Sequence, residues 1–313
     1  MSSIKNLRIV FMGTPDFAVA SLEALVNAGC NIVGVITAPD KPAGRGMQLQ
    51  QSAVKKYAVE KKLTILQPEK LKNPAFIEQL KSLQADVQVV VAFRMLPEVV
   101  WNMPPLGTIN VHASLLPQYR GAAPINWAII NGETETGITT FKLQHEIDTG
   151  NILMQEKITI GEKETAGELH DKLKELGASL IVRTIEAIAG GSIQEKKQSA
   201  ISHRLVAIKH APKLNTETCK IDWNNNVSDT YNLIRGLSPY PAAFTYLNDK
   251  VLKIFSAEKE TATHNLPVGS FHTDNKSHIK FACADGFIYC RDVQLQGKKR
   301  MPVEEFLRGY RFD

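Results

Sequence analysis

The chain has 313 residues, 43% of them hydrophobic and 22% charged, with a formal net charge of +5; at roughly 100–200 residues per domain this composition predicts a globular protein of two domains. No apolar run approaches the ~20 residues that a membrane-spanning helix requires, and MSSIKNLRIVFMG enters a strand at once, which leaves no room for a secretory leader. Cys30, Cys219, Cys283 and Cys290 form no CxxC pair, so they read as reduced thiols of a cytoplasmic protein, without a structural metal or a disulfide framework.

Along the chain, LRIVFM (7–12) is a short apolar run, and 15–29 follows with helical spacing at Phe17, Ala20, Leu22, Leu25 and Val26. Between them, Met12-Gly13-Thr14-Pro15-Asp16 offers one glycine where a dinucleotide fingerprint needs three, so it reads as a plain turn with proline at the helix start. No Walker loop occurs. NIVGVIT (31–37) is the next strand. APDKPAGRGMQLQQS (38–52) is expected to be irregular, and it is long for a βα loop, which marks it as a candidate for function. A charged helix at 54–62 and the apolar strand DVQVVVAF (86–93) continue the alternation. TINVH is a further short strand, 137–143 and 151–160 form a strand pair, and a long helix runs from about 166 to 189. Strands alternating with helices predict an α/β fold with an open, mostly parallel, Rossmann-like sheet, whose ligands bind beyond the carboxyl ends of the strands.

At GGSIQEKKQSAIS (190–202) the texture changes to a polar, glycine-led linker. The expected division is therefore 1–189, a linker at 190–203, and 204–313. Beyond the linker the one good helix candidate is 227–237; short alternating runs separated by turns at Asn248-Asp249, Asp274-Asn275 and Asp285-Gly286 suggest a small β-barrel, the oligonucleotide-binding type being one option. Residues 201–313 carry a net +4 and the first 200 only +1, a balance that permits contact with a polyanion. The run Lys298-Lys299-Arg300 is a solvated turn or a phosphate clamp.

The chemistry centres on NVHASLLP, residues 110–117. Residues i and i+2 of a strand share a face, so Asn110 and His112 project together at the strand's carboxyl end. A further polar group lies in the loop His145-Glu146-Ile147-Asp148-Thr149-Gly150. An asparagine amide can donate to a developing oxyanion, and a carboxylate beside a histidine supports its charged form. Without a Ser or Cys nucleophile, Asn, His and Asp suggest acyl transfer in which the attacking group belongs to the substrate. Spacing alone leaves open whether Asp148 reaches His112.

NVHASLLP, Tyr119-Arg120-Gly121-Ala122-Ala123-Pro124 and Asp148-Thr149-Gly150 together resemble the folate-dependent formyltransferases. The likeness is greatest to the branch acting on methionyl-tRNA, and there it extends along nearly the whole chain, including Phe11–Phe17, the PAGRG loop and Ile221-Asp222-Trp223. It implies a formyltransferase-fold catalytic domain and a C-terminal β-barrel that binds tRNA. It also implies transfer of a formyl group from 10-formyltetrahydrofolate to the methionine of initiator tRNA. That chemistry needs no metal, the lack of an apolar span predicts no membrane partner, and with no heptad or apolar patch asking for a dimer a monomer is expected. Asn110, His112 and Asp148 match the catalytic trio. Ser114, Leu115, Leu116 and Pro117 match the folate-contacting turn, and Phe93, Met95 and Leu96 fall in the segment that lines the pterin pocket. Arg45, with Lys41 in the same loop and Lys298, Lys299 and Arg300 in the last domain, falls to the tRNA. In that pterin segment Arg94 stands where many relatives have glycine, and it is expected to face solvent. His145, His170, His203 and His210 read as surface or loop residues, and Trp223 as a core anchor. Two rival readings are a formyltransferase for a nucleotide-linked amino sugar and a non-catalytic tRNA- or folate-binding protein.

Overall fold

The computed structural model describes residues 4–43, 48–199 and 207–312. The chain divides into two compact units, one made of residues 1–120, 137–158 and 170–209, the other of 121–136, 159–169 and 210–313.

The first unit is built on β1 (Arg8–Gly13), buried from Ile9 onward. Helix α1 (Asp16–Asn27) follows, burying Phe17, Ala18, Ser21, Leu22 and Leu25 along one face. A Cβ on Gly13 would lie 2.6 Å from that of Ala18, so glycine lets the helix start close to the strand end. Next come β2 (Asn31–Ile36) and, inside the stretch expected to be irregular, a short antiparallel pair, β3 (Lys41–Ala43) with β4 (Gln48–Gln50). The ends of this loop are drawn together by a 2.7 Å hydrogen bond between the hydroxyls of Thr37 and Ser52. Ser52 also caps α2 (Ala53–Glu60), accepting from the Lys55 amide. A two-residue β5 (Ile65–Leu66) and α3 (Pro74–Ser82), capped by Asn73, lead into β6 (Val87–Val91), which is buried throughout. After the short α4 (Glu98–Trp101), β7 (Thr108–His112) completes the parallel part of the sheet. β8 (Glu135–Lys142) and β9 (Ile152–Thr159) extend it.

The strand order is β9-β8-β7-β6-β1-β2-β5. β5, β2, β1, β6 and β7 run parallel, and β8 is antiparallel to β7. The order reverses between β1 and β6, which is the crevice such sheets use for ligands.

In the second unit α5 (Pro124–Ile130) meets α8 (Val227–Leu237) closely enough that a Cβ on Gly236 would lie 2.6 Å from Ile130. The long α6 (Ala166–Ala189) begins in this unit and ends in the first, and the short α7 (Thr216–Cys219) precedes α8. The sheet here is antiparallel, its main path β10 (Ala243–Leu247), β11 (Lys250–Thr261), β14 (Gly286–Leu295), β13 (Ile279–Cys283) and β12 (Phe271–Thr273). β15 (Met301–Pro302) pairs with β14. Register shifts around Ser256 bend β11, and the sheet curls into a half-barrel. A last helix, α9 (Val303–Gly309), helps to cover its core. Trp223 anchors that core as expected, stacked on Phe281 at 4.6 Å and donating from its indole nitrogen to Thr245 at 3.0 Å. Among the described residues no helix is long and apolar enough to cross a membrane.

Candidate active site

β7 carries three polar side chains on one face, Thr108, Asn110 and His112, in strict alternation with Ile109 and Val111. Thr108 is satisfied internally, donating from its hydroxyl to the Trp101 carbonyl at 2.6 Å. Asn110 is half-buried, and among the described residues nothing hydrogen-bonds its side-chain amide. His112 is 7% exposed. Its Nε2 lies 2.9 Å from the Tyr119 carbonyl oxygen. A carbonyl can only accept, so Nε2 carries the hydrogen and Nδ1 is the nitrogen left for proton exchange. Tyr119 itself sits at φ +59°, which turns its carbonyl back toward the ring. Phe141 meets the imidazole edge-on with centroids 6.4 Å apart.

Asp148 is brought to this nitrogen from far off in the sheet. β8 runs antiparallel to β7, with Lys142 opposite Ile109 and Thr139 opposite His112. The loop after Lys142 therefore starts beside Ile109 and has to double back to reach His112. It does so, and Asp148 Oδ2 lies 3.9 Å from His112 Nδ1. That separation is within ion-pair range and too long for a direct hydrogen bond, so the carboxylate acts on the ring through its charge or through a bridging water. Asp148 holds φ +55°, and a Cβ on Gly150 would lie 1.6 Å from the Lys142 carbonyl oxygen; the Asp-Thr-Gly sequence is what makes the reversal possible.

The SLLP turn is mostly internal. Ser114 donates to the Gln118 carbonyl at 2.6 Å, and Leu116 Cδ groups fill a small core with Phe141 and Ile152. Thr139 Oγ1 donates to the Ser114 carbonyl at 2.6 Å and accepts from the Leu116 amide at 3.1 Å. Ser114, Leu116 and Pro117 are thus buried and shape the turn, while Leu115 is the half-buried side chain among them. In the segment after β6, Leu96 is buried, Phe93 half-buried and Met95 74% exposed. Arg94 is exposed but not loose. Its guanidinium donates to the carbonyls of Glu69, at 2.7 Å, and Pro68, and lies over the Phe93 ring. The stretch it binds also lines a cavity of about 190 Å³, among Gln67, Glu69, Lys70, Asn73 and Phe76.

Of the basic residues, Arg45 lies outside the described residues, and Lys41 is exposed on β3. At the base of that loop Asp40 accepts from Lys55 at 2.5 Å and from Gln67 at 2.8 Å, hydrogen bonds that lower its carboxyl below the usual range. Lys298, Lys299 and Arg300 are exposed, but Arg300 is committed to Asp292 at 2.5 Å and to the face of Phe255. His145 and His210 are exposed, His170 pairs with Asp171 at 3.1 Å, and His203 is outside the described residues. Sequence reading missed Tyr119 as the acceptor that orients His112, and Gln198, a buried residue in the expected linker that binds the Asp148 loop. A backbone carbonyl leaves no mark in a sequence, and one glutamine in a polar stretch gives no signal. Among the described residues no cluster of His, Cys, Asp and Glu is arranged to hold a metal ion.

With this geometry in place, residues 7–185 match the formyl transferase family and residues 213–311 its C-terminal domain. A methionyl-tRNA formyltransferase of Parabacteroides distasonis is 56% identical, covering 98% of this chain and 97% of that one. One from Phocaeicola vulgatus is 58% identical over 98% and 97%. Among solved structures, an N-formyltransferase of Helicobacter canadensis, complexed with folinic acid and dTDP-3-aminofucose, aligns with a TM-score of 0.68 over 91% of this chain and 98% of that one; at 22% identity the likeness is one of fold.

Proposed function

The chain belongs to the formyl transferase family, and on that premise we propose that it transfers the formyl group of 10-formyltetrahydrofolate to the α-amino group of methionine carried on initiator tRNA. The observation that carries the reading is the pairing on β7 of an amide with no side-chain partner among the described residues, Asn110, with an imidazole whose Nδ1 faces a carboxylate at 3.9 Å. The relatives at 56–58% identity are named for this reaction.

The residues divide the work as follows. When the amine attacks the formyl carbon, negative charge grows on the formyl oxygen; the Asn110 amide donates to it, an interaction worth about 3 kcal/mol in the transition state. His112 Nδ1 takes up the proton that the attacking nitrogen loses and returns it to the departing nitrogen, so that the latter leaves neutral. Nε2 stays bonded to Tyr119 throughout, which keeps the ring from turning. Asp148 favours the imidazolium while it lasts. The chemistry asks for no metal. Leu115 and the backbone of the SLLP turn, with Phe93, Met95 and Leu96, face the folate. Arg45, Lys41, Lys298 and Lys299 face the tRNA, with Arg300 in a supporting place. Residues 1–189 form the catalytic domain and 204–313 the tRNA-binding domain, working as a cytoplasmic monomer.

The test is transfer of labelled formyl from 10-formyltetrahydrofolate to methionyl initiator tRNA, with a nucleotide-linked amino sugar in a parallel reaction. Label in the tRNA alone supports the reading. Label in the sugar alone overturns the acceptor while keeping the trio, and label in neither overturns the activity.

A further inference from the structure

The loop that carries Asp148 has to be held in its doubled-back course, and the group that holds it comes from outside the loop. Gln198 is 2% exposed. Its side-chain nitrogen donates to the carbonyls of Asp148, at 2.9 Å, and Gly150, at 2.8 Å. These two carbonyls flank the sharpest part of the turn. The other end of the same amide accepts twice from Arg120, Nε at 3.1 Å and Nη2 at 2.7 Å. Arg120 follows directly on Tyr119, whose carbonyl fixes His112 Nε2. One short chain of bonds therefore runs from the imidazole, through residues 119 and 120 and the Gln198 amide, to the backbone of Asp148. Each donor in it meets an acceptor, so the amide has one orientation only. Burial lowers the Arg120 guanidinium, and the carboxylates of Asp148 and Glu146 work against that shift, which puts the cation in the field of the same loop.

We propose that Gln198, oriented by Arg120, is a positioning residue that keeps the Asp148 carboxylate against His112 Nδ1 during formyl transfer. The proposal rests on the reading of Asp148 as part of the reacting site. A residue in the expected linker would then contribute to the chemistry without touching substrate, and the stretch up to Gln198 would be a working part of the first unit rather than a tether.

The test uses the full-length chain. Gln198→Met keeps the volume and removes all four bonds. Gln198→Glu keeps the acceptor for Arg120 and turns the two donors into an oxygen that repels the loop carbonyls. Both variants are expected to lose about 10- to 100-fold in kcat, with KM for each substrate within about threefold. In an Asp148→Asn background, measured by single turnover with enzyme in excess, Gln198→Met should cost less than about twofold, because the group it positions is already gone. Amide hydrogen exchange supplies a readout that needs no turnover. Residues 143–150 should exchange at least about tenfold faster in Gln198→Met, with β6 and β7 unchanged. Equal losses in the two backgrounds, wild-type kcat in Gln198→Glu, or unaltered exchange in 143–150 would each overturn the proposal. Full activity in Asp148→Asn alone would instead overturn the reading of the trio, and the exchange measurement would still decide whether Gln198 holds the loop.

Discussion

Among the described residues, Asn110 is the one polar side chain of β7 that makes no hydrogen bond within the fold, since Thr108 and His112 are bonded to the carbonyls of Trp101 and Tyr119. Removing its amide should therefore leave stability almost untouched and fall on the reaction. Asn110→Ala is expected to lower kcat by about 10²- to 10³-fold, the usual loss for one oxyanion donor, with KM and the urea midpoint close to wild type. A loss of more than about 1 kcal/mol in unfolding free energy would mean that the amide has a structural partner after all. Strand alternation makes Asn110 and His112 legible as a pair from the sequence, because a period of two is a local property. Asp148 was legible as a residue type and not as a neighbour. Its loop begins opposite Ile109, and nothing within a sequence window says that it folds back. Arg94 is a similar case. Its exposure was readable from its chemistry, while its two carbonyl acceptors lie 25 and 26 residues away.

Turns and strands behave differently from single side chains, because their tolerance is set by backbone packing. At Gly150 a Cβ would lie 1.6 Å from the Lys142 carbonyl oxygen, a contact that only backbone movement can relieve. Gly150→Ala should cost about 1–3 kcal/mol, the range for overpacking, and should displace Asp148 so that kcat falls about tenfold or more. Normal kcat with lowered stability would separate the turn from the site. Strongly periodic elements such as α1, α6 and β6 are plain in the sequence. α3 is only nine residues long, and the pair β3 and β4 lies in 38–52, a stretch rich in Pro, Gly and charged residues whose composition resembles that of any loop, so neither is plain. β13 and β14 allow a pH test. Burial pushes Cys283 up to about 11 and Cys290 up to about 12 from an ordinary 9.0. Burial raises Cys30 to about 11 as well, so the folded state holds three protons that the unfolded chain releases above pH 9, and stability falls as pH rises. The slope is about 1.4 kcal/mol per pH unit for each thiol. Between pH 9 and 10 the urea midpoint should drop, and Cys290→Ala should remove roughly a quarter to a third of the drop; an unchanged slope in that variant would place the alkaline loss elsewhere.

At the scale of the whole chain the charge is lopsided, with +4 of the +5 in residues 201–313. A surplus that small cannot by itself identify an RNA-binding face, because the affinity of such a face depends on which cations are free to meet phosphate. The structure divides the basic turn at 298–300 in that respect. Arg300 is held by Asp292 through Nε at 2.7 Å and Nη2 at 2.5 Å, and its guanidinium lies 4.3 Å from the centre of the Phe255 ring. Lys298 and Lys299 are exposed, and among the described residues no carboxylate pairs with either ammonium. A cation already neutralised by a neighbour displaces few counterions when a phosphate approaches, whereas a solvated one displaces close to a full one. Binding of initiator tRNA, followed by filter retention from 50 to 300 mM salt (about a sixfold range), should therefore give a log–log slope that becomes shallower by about 1 for Lys298→Ala and again for Lys299→Ala. Arg300→Ala should change the slope by less than about 0.5 while lowering stability, since it strands Asp292 and uncovers Phe255. Equal slope changes for all three would mean that the Asp292 pair opens on binding, and no change for either lysine would take this turn out of the interface.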